Sequence, residues 1–255
     1  MSNQGAVTDL VPLEPVKDVL ASGRADSRLV TLLAHGSFAA DQYEALRHVV
    51  EREAEGHGSF ILTVTSPAPG DGKTLTSVNL AVSLARRVGT RVLVVDADVR
   101  RPSVLPLLGL DESGLRGLTD VAKDPSMALS ECVRYCREHR LFVLPAGEPT
   151  AAPYDVLSSP ALGRLLLEAR RHFHLVIVDT PPAVGFPDFR LLEKWADGSF
   201  LVVSEGVTPR KMLELALEIV DRQKAKGIIL NRADVRGLER YYGNYYRSRR
   251  AHTGS

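Results

Sequence analysis

The sequence predicts an α/β fold built on a doubly wound, mostly parallel sheet with helices on both faces. Near-continuous apolar runs, as at residues 91–96 and 175–179, are typical of strands that are buried on both faces. Helical patterns of apolar residues, as at residues 160–171 and 209–224, alternate with these runs. A glycine-rich loop also joins one apolar run directly to a helical pattern. This alternation favours parallel strands that are connected by helices.

The chain divides into three predicted parts. Residues 1–36 mix glycine, proline, serine and charged residues, so we expect a mostly loose leader with one short helix near residues 16–21. Residues 37–235 form the predicted domain, and residues 236–255 form a flexible tail rich in tyrosine. Within the domain, the predicted strands cover residues 60–65, 91–96, 141–144, 175–179, 200–203 and 227–230, and the predicted helices cover residues 38–54, 75–84, 160–171 and 209–224.

The loop at residues 66–74 reads S-P-A-P-G-D-G-K-T and lies between a predicted strand and a predicted helix. Gly70 and Gly72 lack Cβ atoms, so the backbone can turn tightly and present N–H groups to phosphate oxygens at the positive end of the helix. Lys73 would then contact the β- and γ-phosphates, and the Thr74 hydroxyl would bind Mg²⁺. The alternative is a glycine turn with an incidental Lys-Thr pair, but the flanking elements favour a P-loop NTPase.

Acidic residues follow two of the buried strands. Asp96, Asp98 and Asp179 fall at the carboxyl ends of predicted parallel strands, where open α/β sheets bind their ligands. Asp179 would hold the Mg²⁺ shell, Asp96 would orient water on the metal, and Asp98 would polarise an attacking hydroxyl as general base. Arg100 and Arg101 follow closely enough to tune these acids or to bind phosphate. The alternative is that charged residues simply gather where strands meet solvent-exposed loops.

The composition excludes some classes of partner. The chain has 32 basic and 31 acidic residues, a formal charge of +1, so no global field attracts nucleic acid and we expect no nucleic-acid partner. No apolar run is long enough to span a membrane and no signal peptide is apparent, so we expect a cytoplasmic protein that reaches a membrane only through a partner. Cys132 and Cys136 lie four residues apart in a predicted helix, and we interpret them as buried thiols rather than a zinc site.

The C-terminal tail concentrates tyrosine and arginine. Four of the seven tyrosines fall within E-R-Y-Y-G-N-Y-Y-R-S-R-R, and no acid follows Glu239. One interpretation is an aromatic patch that packs on the domain or binds a polyanion. The tyrosines of this stretch are Tyr241, Tyr242, Tyr245 and Tyr246, and its arginines are Arg240, Arg247, Arg249 and Arg250.

Three motifs in order carry a resemblance to a known family. S-P-A-P-G-D-G-K-T, V-L-V-V-D-A-D-V-R-R-P and L-V-I-V-D-T-P-P resemble the Walker A, Walker A′ and Walker B motifs of the bacterial tyrosine kinases of polysaccharide synthesis. The strict P-loop pattern has a small residue where Pro67 stands, whereas this family's loop is S-x-x-P-G-x-G-K-S/T. The resemblance covers about residues 38–246 and includes G-L-T-D at 117–120, L-P-A-G at 144–147 and L-N-R at 230–232.

The resemblance implies a protein-tyrosine autokinase that uses ATP and Mg²⁺ and regulates the synthesis and export of exopolysaccharide or capsule. It implies that the four tail tyrosines accept phosphate, in a neighbouring subunit's active site. The implied catalytic residues are Lys73, Asp96, Asp98 and Asp179. The implied nucleotide contacts are Pro69, Gly70, Asp71, Gly72, Lys73, Thr74, Leu75, Arg100 and Asn231, the last of which would face the adenine. The implied metal ligands are Thr74, Asp98 and Asp179.

The resemblance also implies partners. They are a transmembrane regulator of polysaccharide chain length that recruits and activates the kinase, a cognate tyrosine phosphatase, and further copies of the chain. The family's N-terminal helix carries E-x-x-R-x-x-R, which joins subunits into a ring, whereas the aligned residues here are Asp41, Glu44 and Arg47. Because the middle position reverses its charge, the form of the oligomer stays open.

Two other functions remain as alternatives. A dimerising spatial-switch ATPase, of the kind that partitions chromosomes or places the division site, would resemble K-G-G-x-G-K-T in its loop, with a lysine where this chain has Ala68. Such proteins commonly end in a basic or amphipathic surface helix, whereas this chain ends in tyrosines. An inactive nucleotide-binding paralogue is the second alternative, and the intact P-loop lysine and strand-end acids disfavour it.

Overall fold

A computed structural model describes residues 10–20 and 22–234. The strands of this part of the chain are β1 Lys17–Asp18, β2 Phe60–Thr65, β3 Val92–Asp96, β4 Arg134–Cys136, β5 Leu141–Leu144, β6 Leu175–Asp179, β7 Gly198–Ser204 and β8 Ala225–Asn231. Its helices are α1 Val30–Leu33, α2 Phe38–Glu53, α3 Lys73–Ala85, α4 Val104–Leu108, α5 Leu118–Lys123, α6 Leu129–Cys132, α7 Pro153–Ser158, α8 Pro160–Ala169, α9 Asp188–Glu193 and α10 Arg210–Ile219.

The strands form one mixed sheet in the order β1-β4-β5-β3-β6-β2-β7-β8. Every neighbouring pair is parallel except β4 and β5, which are antiparallel. The predicted α/β fold with a mostly parallel sheet is therefore confirmed. Because β3, β6 and β2 are adjacent, the two strand-end acids and the loop that follows β2 meet at one edge of the sheet. Asp96 and Asp179 are direct cross-strand partners at this edge.

The sheet is buried on both faces by separate apolar layers. Alternate residues of β3 point in opposite directions, so that Val94 packs with α3 residues such as Leu80, whereas Leu93 packs with α8 residues such as Leu165. All of these side chains have at most 1% of their surface exposed. This two-sided burial explains why the strands read as continuous apolar runs in the sequence.

Three local predictions differ from the structure. The short helix predicted near residues 16–21 is instead strand β1, which pairs with β4 at the edge of the sheet. The predicted helix containing both cysteines is also absent, because α6 ends at Cys132 and Cys136 lies in β4. The four-residue spacing of the two cysteines fits a helix, but residues 134–136 instead pair with β5 as a strand. Both cysteines are free and buried, as predicted. The helix predicted to reach residue 224 ends at Ile219.

The described part of the predicted leader packs on the domain rather than lying loose. Leu13 and Leu29 are buried, with 7% and 0% of their surface exposed. Thr31 donates hydrogen bonds from its backbone N–H and its hydroxyl to Asn79 Oδ1 of α3, at 3.1 and 2.9 Å. The three-part division of the chain stays a prediction, and the tail at residues 236–255 lies outside the described residues.

Candidate nucleotide and metal site

The loop after β2 has the backbone shape that its glycines predict. Gly70 and Gly72 adopt left-handed conformations with φ of +88° and +97°, which residues with a Cβ rarely adopt. Gly72 also caps the N-terminus of α3, where unpaired backbone N–H groups collect. A Cβ atom on Gly72 would collide with the side-chain amide of Asn231. Only glycine therefore fits at this position while Asn231 packs against it, and the free N–H groups at the start of α3 suit an anion.

Asp71 braces this loop from behind. Its carboxylate is buried, with Oδ2 accepting a hydrogen bond from Ala68 N at 2.9 Å and Oδ1 accepting one from Thr208 Oγ1 at 2.7 Å. Asp71 was predicted as a nucleotide contact, but its side chain is used for these two hydrogen bonds and the residue is not in the lining of the cleft. Thr208 escaped prediction because it lies 137 residues away and has no local signature.

Lys73 lies among the predicted acids. Its Nζ is 2.7 Å from Asp98 Oδ2 and 3.8 Å from Asp179 Oδ2, and about 10% of its side chain is exposed. Burial by itself lowers the pKa of Lys73, but the negative charges of Asp179 and Asp98 outweigh burial, and the net pKa is raised. The lysine is therefore an ammonium at neutral pH. Ser77, one helical turn further along α3, donates to Asp179 Oδ1 at 3.0 Å and was not predicted.

Asp96 is held differently from Asp98. Its Oδ2 accepts hydrogen bonds from the backbone N–H groups of Ser103 and Val104, each at 2.9 Å. Its Oδ1 is buried without a hydrogen-bond partner among the described residues. Burial and the neighbouring charge of Asp179 raise the pKa of Asp96 to about 7, and burial likewise raises the pKa of Asp179. The structure thus gathers all three predicted acids but gives them distinct surroundings.

Arg100 is fixed by a partner that the sequence did not reveal. Its Nε and Nη2 donate to the two carboxylate oxygens of Asp188, at 2.6 and 3.3 Å, and its guanidinium lies 4.2 Å from the centre of the Phe186 ring. Asp188 is fully buried at the start of α9. Such a two-point contact orients the arginine toward the cleft, since Arg100 forms part of its lining.

Asn231 and Arg232 close the other side of the loop. Asn231, the last residue of β8, donates from Nδ2 to the carbonyl of Asp71 at 2.8 Å. Arg232 donates from Nη2 to the carbonyl of Gly70 at 3.0 Å and was not predicted. Asn231, which was predicted as a nucleotide contact, therefore lies against the backbone of the loop. Its role toward an adenine stays a prediction.

These side chains line one cleft at the carboxyl edge of the sheet. The predicted residues in its lining are Pro69, Gly70, Gly72, Lys73, Thr74, Leu75, Asp98, Arg100 and Asn231. The lining also contains Arg28, Arg101 and Arg232, so that five cations face Asp98 as the one acid of the lining within the described chain. This surplus of positive charge suits a polyphosphate. Asp71, Asp96 and Asp179 lie behind the lining rather than on it.

The donor set fits Mg²⁺ only together with phosphate. Within residues 10–20 and 22–234, no group of three His, Cys, Asp or Glu side chains is arranged to hold a metal ion alone. Mg²⁺ in phosphoryl-transfer sites usually takes one or two carboxylates and completes its shell with water and substrate phosphates. Thr74 and Asp98 on the cleft supply this kind of partial set together with Asp179 behind them, whose Oδ2 lacks a hydrogen-bond partner among the described residues.

The predicted phosphate acceptors Tyr241, Tyr242, Tyr245 and Tyr246 lie outside the described residues, so their position relative to the cleft stays untested. Within the described part of the chain, no helix has both the length and the apolar character needed to cross a membrane.

The chain is similar in sequence to known nucleotide-binding proteins. The model of the CobQ/CobB/MinD/ParA nucleotide-binding domain matches residues 62–250. The chain is 33% identical to the tyrosine-protein kinase YwqD of Bacillus subtilis over 210 residues, which are 82% of this chain and 87% of YwqD. It is 28% identical over 256 residues to the succinoglycan biosynthesis transport protein ExoP of Rhizobium meliloti, covering 91% of this chain but only 31% of ExoP.

A solved structure agrees with these relatives. The kinase domain of the Escherichia coli tyrosine kinase ETK superposes with a TM-score of 0.73 and 26% sequence identity, covering 80% of this chain and 79% of that domain. The fold, the order of the motifs and the sequence similarity therefore lead to the same group of proteins.

Proposed function

The chain belongs to the bacterial tyrosine kinases within the CobQ/CobB/MinD/ParA nucleotide-binding family, and we propose that it transfers phosphate from ATP to tyrosines of its own C-terminal tail. The observation that carries this proposal is the ammonium of Lys73, held between Asp98 and Asp179 beside the glycine-rich loop. Phosphoryl transfer depends mainly on positioning and on neutralising charge, and this arrangement supplies both.

The cationic cleft would bind the phosphates of ATP. The N–H groups at the start of α3 and the ammonium of Lys73 face the region where a triphosphate would lie, and Arg100 is already oriented by Asp188. Binding of phosphate oxygens would compete with Asp98 for the Lys73 ammonium. The lysine would therefore move from pairing with a carboxylate to neutralising the transferred group.

Thr74, Asp98 and Asp179 are the residues that would hold Mg²⁺. When bound, the ion supplies positive charge that offsets the charge developing on the β- and γ-phosphates. Asp96 lies directly behind this set as the cross-strand partner of Asp179, and its pKa is raised first by burial and then by the charge of Asp179. Ser77 keeps one oxygen of Asp179 hydrogen-bonded and so limits the orientations of that carboxylate.

In the transfer step, a tyrosine hydroxyl oxygen attacks the γ-phosphorus. A new bond forms between the phenol oxygen and phosphorus, the bond from phosphorus to the bridging oxygen breaks, and ADP leaves. The phenol proton passes to the carboxylate of Asp98, which the nucleotide has released from Lys73. Each transferred phosphate adds about −1.5 to −2 charges, so four of them would reverse the positive charge of the tail.

The name of ExoP, a transport protein of succinoglycan biosynthesis, supports a role of this chain in exopolysaccharide or capsule production. We propose that a transmembrane regulator of chain length recruits the kinase from the cytoplasm to the inner face of the membrane and activates it. A cognate tyrosine phosphatase would remove the tail phosphates. The tail would then alternate between negative and positive charge, and the export machinery would assemble and disassemble accordingly.

The subunits would assemble through contacts other than the family's usual helix pairing. In α2, Glu44 is engaged within its own chain, since it pairs with Arg47 at 2.8 Å and accepts a hydrogen bond from Ser83 of α3 at 3.1 Å. Arg86, which follows the last residue of α3, lies 3.7 Å from the same carboxylate. An oligomer that uses α2 must therefore place its intersubunit ion pairs elsewhere on the helix, for example at Asp41.

The spatial-switch ATPase remains the second candidate because the family model spans MinD and ParA as well. Those proteins would place a lysine at position 68, where this chain has alanine with its N–H bound to Asp71. An inactive paralogue is disfavoured by the complete Lys73, Asp98 and Asp179 group.

The test is to incubate the purified chain with ATP and Mg²⁺, with and without candidate activator peptides, and to map phosphotyrosine by mass spectrometry. We expect phosphate on Tyr241, Tyr242, Tyr245 or Tyr246, and its loss in Lys73→Met and Asp98→Asn. ATP hydrolysis with an unmodified tail would instead support the spatial-switch ATPase. Nucleotide binding without turnover under every condition would support the inactive paralogue.

A further inference from the structure

A second cleft opens at the same edge of the sheet, beside the nucleotide cleft. It lies between the segments that follow β3 and β5, and its walls include Pro102, Leu105 and Leu115. Its charged residues are Asp96, Glu112 and Glu148, and none of the described residues that line it is basic. We call it the acidic cleft.

Asp96 lies in the lining of this cleft and not in that of the nucleotide cleft. Only 2% of its surface is exposed, and its Oδ1 lacks a hydrogen-bond partner among the described residues. Asp96 thus contributes a buried carboxylate to the wall of this cleft.

Glu112 and Glu148 stand at the exposed part of the lining. Neither has an ion-pair partner in the part of the chain that the structure describes, whereas most acids around the nucleotide cleft are paired. Their charges therefore face solvent and would attract a cationic segment. The apolar proline and leucine walls between them and Asp96 suit a flat ring.

We propose that the acidic cleft is the acceptor site and that it takes the segment at residues 239–250 of a second copy of this chain. This inference rests on the proposed kinase function and adds where the acceptor binds. The arginines that flank the tyrosines would pair with Glu112 and Glu148. A tyrosine ring would lie against the apolar walls with its hydroxyl directed toward the nucleotide cleft, where Asp98 takes the proton. The segment carries four tyrosines among four arginines and offers both groups at short spacing.

The topology favours a second copy over the chain's own tail. The described chain ends just after β8, whereas the acidic cleft follows β3 and β5. Strands β6, β2 and β7 lie between, and the nucleotide loop follows β2. A tail that reached its own acidic cleft would have to cross the nucleotide cleft, while a tail from another subunit can approach from the open side.

The test uses two full-length variants of the chain, one that acts only as enzyme and one that acts only as phosphate acceptor. The enzyme carries phenylalanine at all four tail tyrosines, and the acceptor carries Lys73→Met with its tail intact. Initial rates of phosphotyrosine formation are measured against acceptor concentration. The enzyme is then altered by Glu112→Gln with Glu148→Gln, and the matched control carries Glu138→Gln with Glu218→Gln, two exposed acids that are not in the lining of either cleft.

We expect the cleft variant to raise KM for the acceptor about 3- to 10-fold, as two exposed charge pairs would. Its kcat and its KM for ATP should match the control, and the rise in KM should shrink in 0.5 M NaCl, where the screening length is only a few ångströms. An acceptor whose tail arginines are replaced by glutamine should show a similar rise with the unaltered cleft. Combining both changes should add little, because each removes the same contacts.

An unchanged KM, or losses that multiply when cleft and tail are both altered, would overturn the acceptor site. If the natural chain phosphorylates its own tail but the separate acceptor stays unmodified, transfer is intramolecular and the second-copy assignment is wrong. If the natural chain forms no phosphotyrosine with any activator, the proposed function itself fails, and the acceptor site fails with it.

Discussion

Two clefts at one edge of the sheet carry opposite charge. The nucleotide cleft sets five cations against Asp98, whereas the acidic cleft beside it sets Asp96, Glu112 and Glu148 against no base among the described residues. Asp96 and Asp98 are two residues apart in the chain, and each belongs to a different cleft. The difference teaches that strand β3 ends between two binding surfaces, one suited to a polyphosphate and the other to a basic peptide.

The buried carboxylates of Asp96 and Asp179 lie between the two clefts, and keeping both of them ionised there is energetically unfavourable. Burial raises the pKa of both Asp96 and Asp179. The charge of Asp179 raises the pKa of Asp96 further, and the charge of Asp98 raises that of Asp179, while the ammonium of Lys73 lies close to Asp98 and Asp179. Altering single members of this group, or of the braces around it, should therefore affect the two clefts by different amounts.

The largest effect is expected from Lys73→Met. The change removes the ammonium that lies 2.7 Å from Asp98 and replaces it by an apolar group of similar length. We expect phosphate transfer to fall by about 1,000-fold or more, since charge stabilisation of the transferred group is lost. Single-turnover transfer to the tail would measure this, with Lys123→Met at an exposed position as control. A loss of less than tenfold would mean that the nucleotide cleft does not depend on this cation.

A smaller effect is expected from Asp188→Asn. The change removes the charge that holds Arg100 through its two donors, so the arginine should lose its orientation toward the cleft. We expect KM for ATP to rise about 5- to 20-fold, in line with the loss of a charge-assisted contact. Asp197→Asn is a matched control because Asp197 pairs with Arg170 at 2.8 Å near the opposite edge of the sheet. Equal effects of both changes would indicate general destabilisation.

The sequence alone predicted those residues of the site that belong to short, contiguous motifs. The glycines of the loop are predictable because a tight turn needs residues without a Cβ. The acids that end β3 and β6 are predictable because each follows a short apolar run, and the parallel arrangement of the strands brings the two ends together. Asp188 and Thr208 leave no such pattern, because their partners lie 88 and 137 residues away.

The acidic cleft was equally hidden, since Glu112 and Glu148 come from separate loops that meet only in the folded chain. The wrong prediction for Cys136 has a related cause. Its spacing from Cys132 fits a helix, but the exposed edge of β5 recruits residues 134–136 as a strand. Local sequence patterns therefore predicted the structure within a segment. They missed the hydrogen bonds and strand pairings that form between segments far apart in the sequence.

A third prediction concerns the brace behind the nucleotide loop. In Thr208→Val the shape is kept but the hydroxyl is lost, which leaves Asp71 Oδ1 buried without its 2.7 Å donor. We expect a loss of about 1 to 3 kcal/mol in the free energy of unfolding. A rise of about 3- to 10-fold in KM for ATP should accompany it, since the loop is then less well preorganised. Thr90→Val, at the N-terminal end of β3, serves as control in denaturation and binding titrations. An unchanged KM would show that the loop keeps its shape without the brace.

The smallest effect tests the charge of Asp96 itself. A carboxyl whose pKa is raised to about 7 on folding, from about 3.9 in the unfolded chain, favours the folded state below pH 4 and loses this contribution as pH rises through 7. Asp96→Asn removes the titration and keeps an oxygen that can accept from Ser103 and Val104. In EDTA without nucleotide, we expect Tm to rise by about 2 to 4 °C at pH 8 and by about a third as much at pH 5, where the carboxyl of the unfolded chain is already ionised.

Asp155→Asn, at an exposed position, is the control for this pH series. A rise in Tm that is equal at pH 5 and pH 8 would assign the effect to packing rather than to charge. A fall at pH 8 would mean that the ionised Asp96 is stabilised by Lys73 more than it is repelled by Asp179. In that case the boundary between the two clefts would be a balanced ion cluster rather than a site of net repulsion between carboxylates.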